Sequence, residues 1–205
     1  MCKICNNETI SLTINGINYD KCNTCGFLAK QDMHILSSSD EYNRYLLHDN
    51  DDSLEYFNYQ EKFYFMIKDY LKGNILDYGC GNNHILVNVM EKYGIKSNYY
   101  DLYFYKETNY EKDLCQAIIL EEVIEHLKDP IKTLSHLLSL LNNGGNLIIR
   151  TRFVKDEIPH NWWYLRDSTH ISFFSIETFK FLCAKFNLKI IYCNMTDVII
   201  LQKEW

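Results

Sequence analysis

Apolar positions between residues 53 and 205 follow two alternating periodicities, one typical of strands and one typical of helices. Apolar runs of strand length lie at 74–78, 96–101, 116–121, 146–152, 188–194 and 197–203. Segments with apolar residues at helical spacing lie at 53–72, 83–93, 130–142 and after Ser175. This order predicts an α/β fold with a doubly wound, Rossmann-like sheet and a parallel core. Since only Met195 and Thr196 join the last two runs, the sheet should end in an antiparallel hairpin.

Capping residues agree with two of the predicted helices. Asp129 followed by Pro130 suits the start of the helix at 130–142, because proline fits the first helical position. Gly144-Gly145 suits the end of the same helix. Ser175 can cap the last helix through its hydroxyl.

The region after the second strand is short. Only residues 102–115 separate Asp101 from the strand at 116–121, which leaves little room for another strand and helix. The usual third strand of a doubly wound sheet, with its helix, is therefore expected to be abbreviated or absent.

The N-terminal segment contains two Cys-x-x-Cys pairs, Cys2 with Cys5 and Cys22 with Cys25. Two such turns can aim four thiolates at one ion, and a tetrahedral set of sulfurs suits structural Zn²⁺. The residues between the pairs alternate as in a hairpin, with Asn15-Gly16 as its turn. A redox pair and an iron site are the alternatives. The predicted division is a zinc-ribbon-like segment at 1–37, a polar linker at 38–52 and the main domain at 53–205.

Composition narrows the function. Hydrophobic residues make up 47% of the 205 residues, which predicts a packed core. The formal net charge of −6 does not favour a protein that grips a phosphate backbone. The N-terminus lacks the pattern of a signal peptide, and no apolar run reaches the length of a membrane span. We therefore expect a cytoplasmic protein without a membrane partner; the sequence does not predict its oligomeric state.

The stretch NILDYGCGNNHIL at 74–86 is a strand followed by a glycine turn. A P-loop would need Gly-Lys-Ser/Thr, which does not follow Gly81. A dinucleotide fingerprint would need glycine at the sixth position, where His84 stands. Asp77 would repel a pyrophosphate but would attract an ammonium group. The turn is therefore expected to hold a cationic ligand.

Asp101 lies at the end of the second strand, where a carboxylate commonly accepts hydrogen bonds from a ribose diol. A ligand with a ribose, a cationic amino-acid part and no phosphate is S-adenosylmethionine. Charge and position at Asp77 and Asp101 together predict this cofactor.

Several motifs resemble those of the class I S-adenosylmethionine-dependent methyltransferases. They are Asp77-Tyr-Gly79-Cys80-Gly81, Asp101, AIILEEVIEHLKDP at 117–130, NNGGNLIIRT at 142–151 and HISFFSIETFKFL at 170–182. The resemblance covers residues 53–205, and in the similar bacterial branch a zinc knuckle and a stretch like RYLLHDN precede the domain. Two positions depart from the family pattern. Asn83 stands in place of the family's third glycine, and Gln116 stands where the family often has Asp.

The resemblance implies roles for individual residues. Asp77, Gly79 and Gly81 would surround the methionine part of the cofactor, and Asp101 would bind the ribose. Leu120 and Glu121 would lie beside the cofactor, and His126 near the pocket mouth. Of the three acids Glu121, Glu122 and Glu125, we expect only Glu121 to face the cofactor, because a strand end and a helix start diverge.

The acceptor wall is predicted in the loop at 153–170, which follows a strand's carboxyl end. Its candidate substrate contacts are Trp162, Trp163, Tyr164 and Arg166, and Tyr45 and His48 could fold over the pocket. His170 is the candidate general base, and His126 is a second catalytic candidate that more simply orients the region beside the cofactor. The alternative is a packed aromatic lid without a role in binding.

The sequence thus predicts a methyltransferase acting on a small molecule. Two alternatives stay open. One is a methyltransferase for tRNA, rRNA or protein that docks through the zinc knuckle, and the other is a scaffold with a degenerate cofactor pocket.

Overall fold

The structure is a computed structural model and describes residues 1–47, 53–155 and 157–205. Strands β1 (Ile10–Ile14) and β2 (Ile17–Lys21) form the predicted hairpin. Asn15 and Gly16, the turn residues, have φ of 52° and 79°. Two positive φ values are typical of a type I′ turn, which asparagine and glycine tolerate best.

Helix α1 (Ser38–Leu47) occupies most of the segment predicted as a polar linker. None of its residues is buried, so no apolar stripe could reveal it. Helix α2 (Leu54–Ile67) follows and begins after Ser53, whose side chain accepts a hydrogen bond from the Tyr56 backbone N–H.

The main sheet has six strands: β4 (Ile75–Tyr78), β5 (Asn98–Tyr100), β6 (Cys115–Glu121), β7 (Leu141–Arg150), β9 (Leu188–Cys193) and β10 (Val198–Lys203). Their spatial order is β5-β4-β6-β7-β10-β9. The first four are parallel, and β10 pairs antiparallel with both β7 and β9. The predicted parallel core and terminal hairpin are confirmed.

Helices cover both faces of this sheet: α3 (Ile85–Lys92), α4 (Pro130–Leu140) and α5 (Ile176–Phe186), together with α2. Alternate residues of β6 enter opposite hydrophobic clusters. Ile118 and Leu120 pack in the cluster that contains residues of α4 and α5, while Ala117 and Ile119 pack in the one with α2 and α3. The period of two along β6 thus builds two cores.

The expected shortening after the second strand is confirmed. Between Asp101 and Cys115 the chain has one isolated bridge, Asp101 to Tyr105, and a 3₁₀ helix at Asn109–Lys112. As a result β5 is an edge strand of the sheet.

The N-terminal segment joins the main domain through a second sheet, ordered β1-β2-β3-β8. Its strand β3 (Leu28–Lys30) pairs antiparallel with β8 (Ser172–Phe173), which precedes α5. The Thr178 hydroxyl of α5 also donates to the Cys25 carbonyl at 2.8 Å. The division of the chain at residues 37 and 52 stays a prediction. These contacts join the segment 1–37 to the domain 53–205. None of the described helices combines the length and apolarity needed to cross a membrane.

Candidate active site

Charged residues stand at the ends of the four parallel strands. β4 contains Asp77, Asp101 follows β5, β6 ends at Glu121 and β7 ends at Arg150. Because these strands run in parallel, their carboxyl ends meet at one edge of the sheet. Doubly wound sheets bind their ligands at this edge.

The turn after β4 brings backbone segments close together. The N–H groups of Gly79 and Cys80 donate to the Tyr100 carbonyl at 2.7 and 3.1 Å. Gly79 has φ of 90° and Gly81 has φ of 69°, both in the left-handed region that glycine favours. A Cβ on Gly79 would lie 2.4 Å from the Val123 Cγ2. The segment after β6 therefore packs directly on the glycine turn.

Asp77 is 2% exposed, next to the turn. Burial raises the pKa of its carboxyl well above 3.8, and the nearby charges of Glu121 and Asp101 raise it further. Both effects disfavour the carboxylate until a positive charge approaches. The surroundings of Asp77 therefore suit a cationic ligand.

Asp101 holds the turn in place. Its Oδ2 accepts from the Gly81 N–H at 3.0 Å, and its Oδ1 accepts from the N–H groups of Tyr103 and Phe104 at 2.8 and 3.1 Å. A carboxylate has about four acceptor positions, so these bonds leave about one for a ribose hydroxyl. Binding both hydroxyls of a diol would require one of these bonds to open.

Glu121 and Arg150 form an ion pair that the sequence did not predict. Arg150 Nη1 lies 2.9 Å from Glu121 Oε1, and its guanidinium stacks over the rings of Tyr59 and Phe63. Burial raises the pKa of Glu121 to about 7 although Arg150 lowers it. The available signal for this ion pair in the sequence was the arginine that ends the apolar run NLIIR. Leu120 lies in the core, so only its backbone could line a cofactor site.

Of the two acids not expected to face the cofactor, Glu125 is fully buried and Glu122 is partly exposed. The Tyr164 hydroxyl lies 3.2 Å from Glu122 Oε2 and 2.5 Å from Glu125 Oε1. Glu122 has φ of 51°, and this left-handed residue turns the chain back so that the Glu125 side chain is buried. Burial, and then the charge of Glu122, raises the pKa of Glu125.

His126 and His170 face each other at this position. Their ring centroids are 4.9 Å apart, and the ring of His170 lies 4.1 Å from that of Tyr164. Each Nδ1 contacts a backbone carbonyl, Thr169 at 3.1 Å for His126 and Tyr164 at 2.8 Å for His170. One ligand atom each from Glu125, His126 and His170 lie within 4.8 Å of one another. The structure thus brings together both predicted catalytic histidines.

The predicted acceptor loop divides into buried and exposed parts. Tyr164 is buried. The ring centroid of Trp162 lies 5.4 Å from that of Tyr164 and 6.0 Å from that of Phe173. Trp163 is 56% exposed, and Arg166 is exposed as well. Trp162 and Tyr164 therefore support the loop, whereas the accessible groups are Trp163 and Arg166.

Tyr45, on α1, contacts both the segment after Asp101 and the histidine pair. Its ring lies 5.4 Å from that of Tyr103, beside the Asp101 turn, and 5.6 Å from that of His126. Its place over the pocket stays a prediction. His48 lies outside the described residues.

The four N-terminal cysteines come together as predicted. Their ligand atoms lie within 4.8 Å of one another. Cys2 Sγ is 3.6 Å from Cys25 Sγ, and Cys5 Sγ is 3.4 Å from Cys22 Sγ. A tetrahedral zinc with bonds of about 2.3 Å has sulfurs about 3.8 Å apart. The cluster therefore has the dimensions of a structural zinc site.

Lys30 links this N-terminal segment to the acceptor loop, and the sequence analysis missed it. It is 2% exposed, and its ammonium donates to the Ser168 carbonyl at 3.0 Å. Its backbone N–H donates to the Ile171 carbonyl at 2.9 Å. These two bonds attach β3 to the chain at Ser168 and at Ile171, which lie on either side of His170 in the sequence.

A family described as a methyltransferase domain matches residues 40–192. No curated protein matches the sequence. A SAM-dependent methyltransferase from Archaeoglobus fulgidus has a similar structure, with a TM-score of 0.54 and 16% identity over 72% of this chain and 94% of that one. The plantazolicin methyltransferase BpumL, in complex with SAH, gives 0.52 and 16% over 82% and 92%. The mitomycin 7-O-methyltransferase MmcR gives 0.54 and 11% over 79% and 60%. At these identities the likeness is one of fold.

Proposed function

The chain belongs to the S-adenosylmethionine-dependent methyltransferases, and we propose that it methylates a small-molecule acceptor bound beside His126 and His170. The observation that carries this proposal is the close approach of Val123, on the segment that leads to His126, to Gly79, in the turn expected to hold the cofactor. A Cβ on Gly79 would overlap Val123, so the segment that leads to His126 lies against the cofactor turn. A methyl group on a cofactor in that turn would be within short reach of the two histidines.

The cofactor roles rest on the charges at the sheet edge. Asp77 pairs with the ammonium of the cofactor and Asp101 accepts from its ribose, while the positive φ angles of Gly79 and Gly81 shape the turn around the methionine part. Glu121 adds negative charge near the sulfonium, with Arg150 limiting its repulsion of Asp77. Since similar structures include an enzyme in complex with SAH, the fold is compatible with this cofactor.

In the reaction, a nucleophilic atom of the acceptor attacks the methyl carbon and the carbon–sulfur bond breaks. The electron pair stays on sulfur, giving the neutral thioether, and the acceptor loses its proton. His126 and His170 act on the acceptor atom, because the two rings face each other and the Tyr45 ring connects His126 with Tyr103, beside the Asp101 turn. Trp163, Arg166 and Tyr45 contact the rest of the acceptor, while Trp162 and Tyr164 shape the wall.

Several features favour a small acceptor over a nucleic acid. The formal net charge of −6 does not favour a phosphate backbone as the partner. The enzymes of similar fold include one for mitomycin and one for plantazolicin. Methylation of tRNA, rRNA or a protein instead of small molecules would overturn this part of the proposal.

A structural zinc held by Cys2, Cys5, Cys22 and Cys25 completes the proposal. The sulfur distances suit it, and the Ile4 N–H and the Asn7 amide point at Cys2 Sγ and Cys5 Sγ at 3.4 and 3.3 Å. Such donors stabilise thiolates. With four sulfurs the coordination is closed, so this zinc would support the fold and take no part in methyl transfer.

Calorimetry tests the cofactor. S-adenosylmethionine and its demethylated product should both bind, whereas NAD and ATP should not. Asp101→Ala should weaken binding by about 1–3 kcal/mol, the cost of an unpaired polar contact. Preferential binding of NAD, or binding of neither cofactor form, would contradict the proposal.

The pH dependence of binding tests the role of Asp77. Its raised pKa means that the cofactor's positive charge favours loss of the Asp77 proton, so affinity should rise as pH increases. We expect this rise at pH values above the ordinary titration range of an aspartate, at no more than about tenfold per pH unit. Asp77→Asn should bind weakly with a smaller pH dependence, and Asp113→Asn, an exposed control, should behave as the wild type. An equal pH dependence in Asp77→Asn would exclude the assignment.

A further inference from the structure

We propose that Glu125, His126 and His170 hold a divalent metal ion, distinct from the four-cysteine site, which binds the acceptor atom during methyl transfer. This inference rests on the proposed function for the role of the ion, but its geometry stands separately. One ligand atom from each residue lies within 4.8 Å of the other two, close enough for one ion to reach all three. Two imidazoles and a carboxylate form a ligand set typical of Zn²⁺, Fe²⁺ and similar ions.

The histidines are held in the tautomer that a metal needs. His126 Nδ1 contacts the Thr169 carbonyl at 3.1 Å, and His170 Nδ1 contacts the Tyr164 carbonyl at 2.8 Å. A carbonyl can only accept, so each Nδ1 is the donor, and in the neutral ring the lone pair is on Nε2. Metal-binding histidines are usually oriented by such a bond from the opposite nitrogen.

Glu125 contributes a fully buried carboxyl group to this cluster. The residue is 0% exposed, and its Oε2 is buried without a hydrogen-bond partner. Its Oε1 is oriented by the Tyr164 hydroxyl at 2.5 Å. A buried acceptor without a partner is costly, and a bound cation would remove that cost. Tyr164 is thus a positioning residue for this ligand.

The two chain segments that carry the ligands are fixed to each other. The Ile171 N–H donates to the Glu125 carbonyl at 2.9 Å, and the Ser172 hydroxyl donates to the Leu127 carbonyl at 2.8 Å. Ile171 directly follows His170, Ser172 comes one residue later, and Leu127 directly follows His126. The site is therefore assembled before any ion arrives, as metal affinity requires.

Three protein ligands leave coordination positions for the acceptor. An acceptor hydroxyl bound to the ion would lose its proton to water more readily, because the metal would stabilise the resulting oxyanion, which keeps lone pairs free to attack. The acceptor then attacks the methyl carbon, and the sulfur leaves with the bonding electrons. In this arrangement His170 acts through the metal, and it replaces the general-base role predicted for it from the sequence.

Cobalt is the probe that tests this site. Co²⁺ is titrated into the purified protein that retains its cysteine-held metal, and binding is followed by calorimetry and by visible absorption. We expect one equivalent to bind without a thiolate-to-cobalt charge-transfer band. Glu125→Gln, His126→Asn and His170→Asn should each weaken binding by at least about tenfold, and Tyr164→Phe by about tenfold. His136→Asn, on the surface of α4, should bind as the wild type.

Two results would overturn the inference. One is a wild-type protein that binds no Co²⁺ outside the cysteines, and the other is Co²⁺ binding that is unchanged in Glu125→Gln and His170→Asn. S-adenosylmethionine binding, measured in the same samples, separates these failures from failure of the proposed function. A protein that binds cofactor but no Co²⁺ keeps the methyltransferase proposal and loses the metal. A protein that binds Co²⁺ but no cofactor keeps the metal site and loses the methyltransferase proposal.

Discussion

Gly79 combines two requirements that no other residue type meets. Its φ of 90° suits glycine, and the space where its Cβ would stand is filled by Val123 at 2.4 Å. Gly79→Ala should therefore lower cofactor affinity by more than about tenfold, and it should cost about 1–3 kcal/mol in the free energy of unfolding. Calorimetry and urea unfolding measure the two effects.

Two controls separate strain from overlap. The double variant Gly79→Ala/Val123→Ala removes the overlap and should recover part of the lost affinity, leaving the cost of the backbone angle. Gly94→Ala has a similar φ of 79° but no atom within 4 Å of the added Cβ. It should cost about 1 kcal/mol and leave cofactor affinity unchanged. If the double variant binds no better than Gly79→Ala, the contact with Val123 does not limit binding.

The buried acids explain why the site needs positive charge. Asp77, Glu121 and Glu125 all have raised pKa values, mainly through burial. A carboxyl whose folded pKa is above its unfolded value stabilises the fold while protonated, and this contribution is lost as pH rises through that range. For Glu121 the range ends near its folded pKa of about 7. A sulfonium, an ammonium and a divalent cation would each offset this cost.

At the scale of elements, α5 connects the four-cysteine segment to the main sheet. Thr178 accepts from the Ser175 N–H at 3.1 Å as part of a capping box, and its hydroxyl donates to the Cys25 carbonyl at 2.8 Å. Thr178→Val keeps the shape and removes both bonds. We expect a loss of about 1–3 kcal/mol in the free energy of unfolding, and faster transfer of the cysteine-held metal to a chelator.

The helix cap of α4 provides the matched control. Asp129 accepts from the Lys132 N–H at 3.0 Å but has no link to the cysteines. Asp129→Ala should cost about 0.5–2 kcal/mol without changing the rate of metal transfer. Equal transfer rates in the two variants would mean that the bond from Thr178 does not hold the cysteine site.

The elements differ in how far the sequence could predict them. The hairpin at Asn15-Gly16 and the starts of α4 and α5 have local signals, namely turn residues and caps, and they were predicted. α1 has no buried residue, and its rings pack instead on Tyr103 from a distant segment. The pairing of β3 with β8 is likewise a long-range contact. Such features depend on tertiary structure, which local periodicity does not encode.

The same distinction applies to the site. Asp77, Gly79 and Asp101 stand at strand ends, where the order of elements already brings them together. The inward turn of Glu125 depends on the positive φ of Glu122, a residue type with no preference for that conformation. The stacking of Arg150 on α2 depends on how that helix crosses the sheet. Neither has a signal in the local sequence.

At the scale of the whole molecule, the cysteine site and the acceptor site share one support. Cys2, Cys22 and Cys25 belong to the hydrophobic cluster that also contains Phe174 and Phe179, beside β8. β3 pairs with β8, and the segment before β8 holds His170 in place. Loss of the zinc proposed for the four cysteines should therefore weaken the packing around His170.

Hydrogen exchange in Cys22→Ser measures this coupling. Metal analysis should show that the cysteine-held zinc is lost, and amides at 10–30, 170–174 and 125–127 should exchange faster than in the wild type. Amides of β4 and β6 should stay protected, because their bonds lie within the six-stranded sheet. Cys193→Ser, in a half-buried thiol of β9, should keep both the zinc and the protection. If 170–174 stays protected in Cys22→Ser after the zinc is lost, the cysteine site supports only its own segment, and His170 depends on the main domain alone.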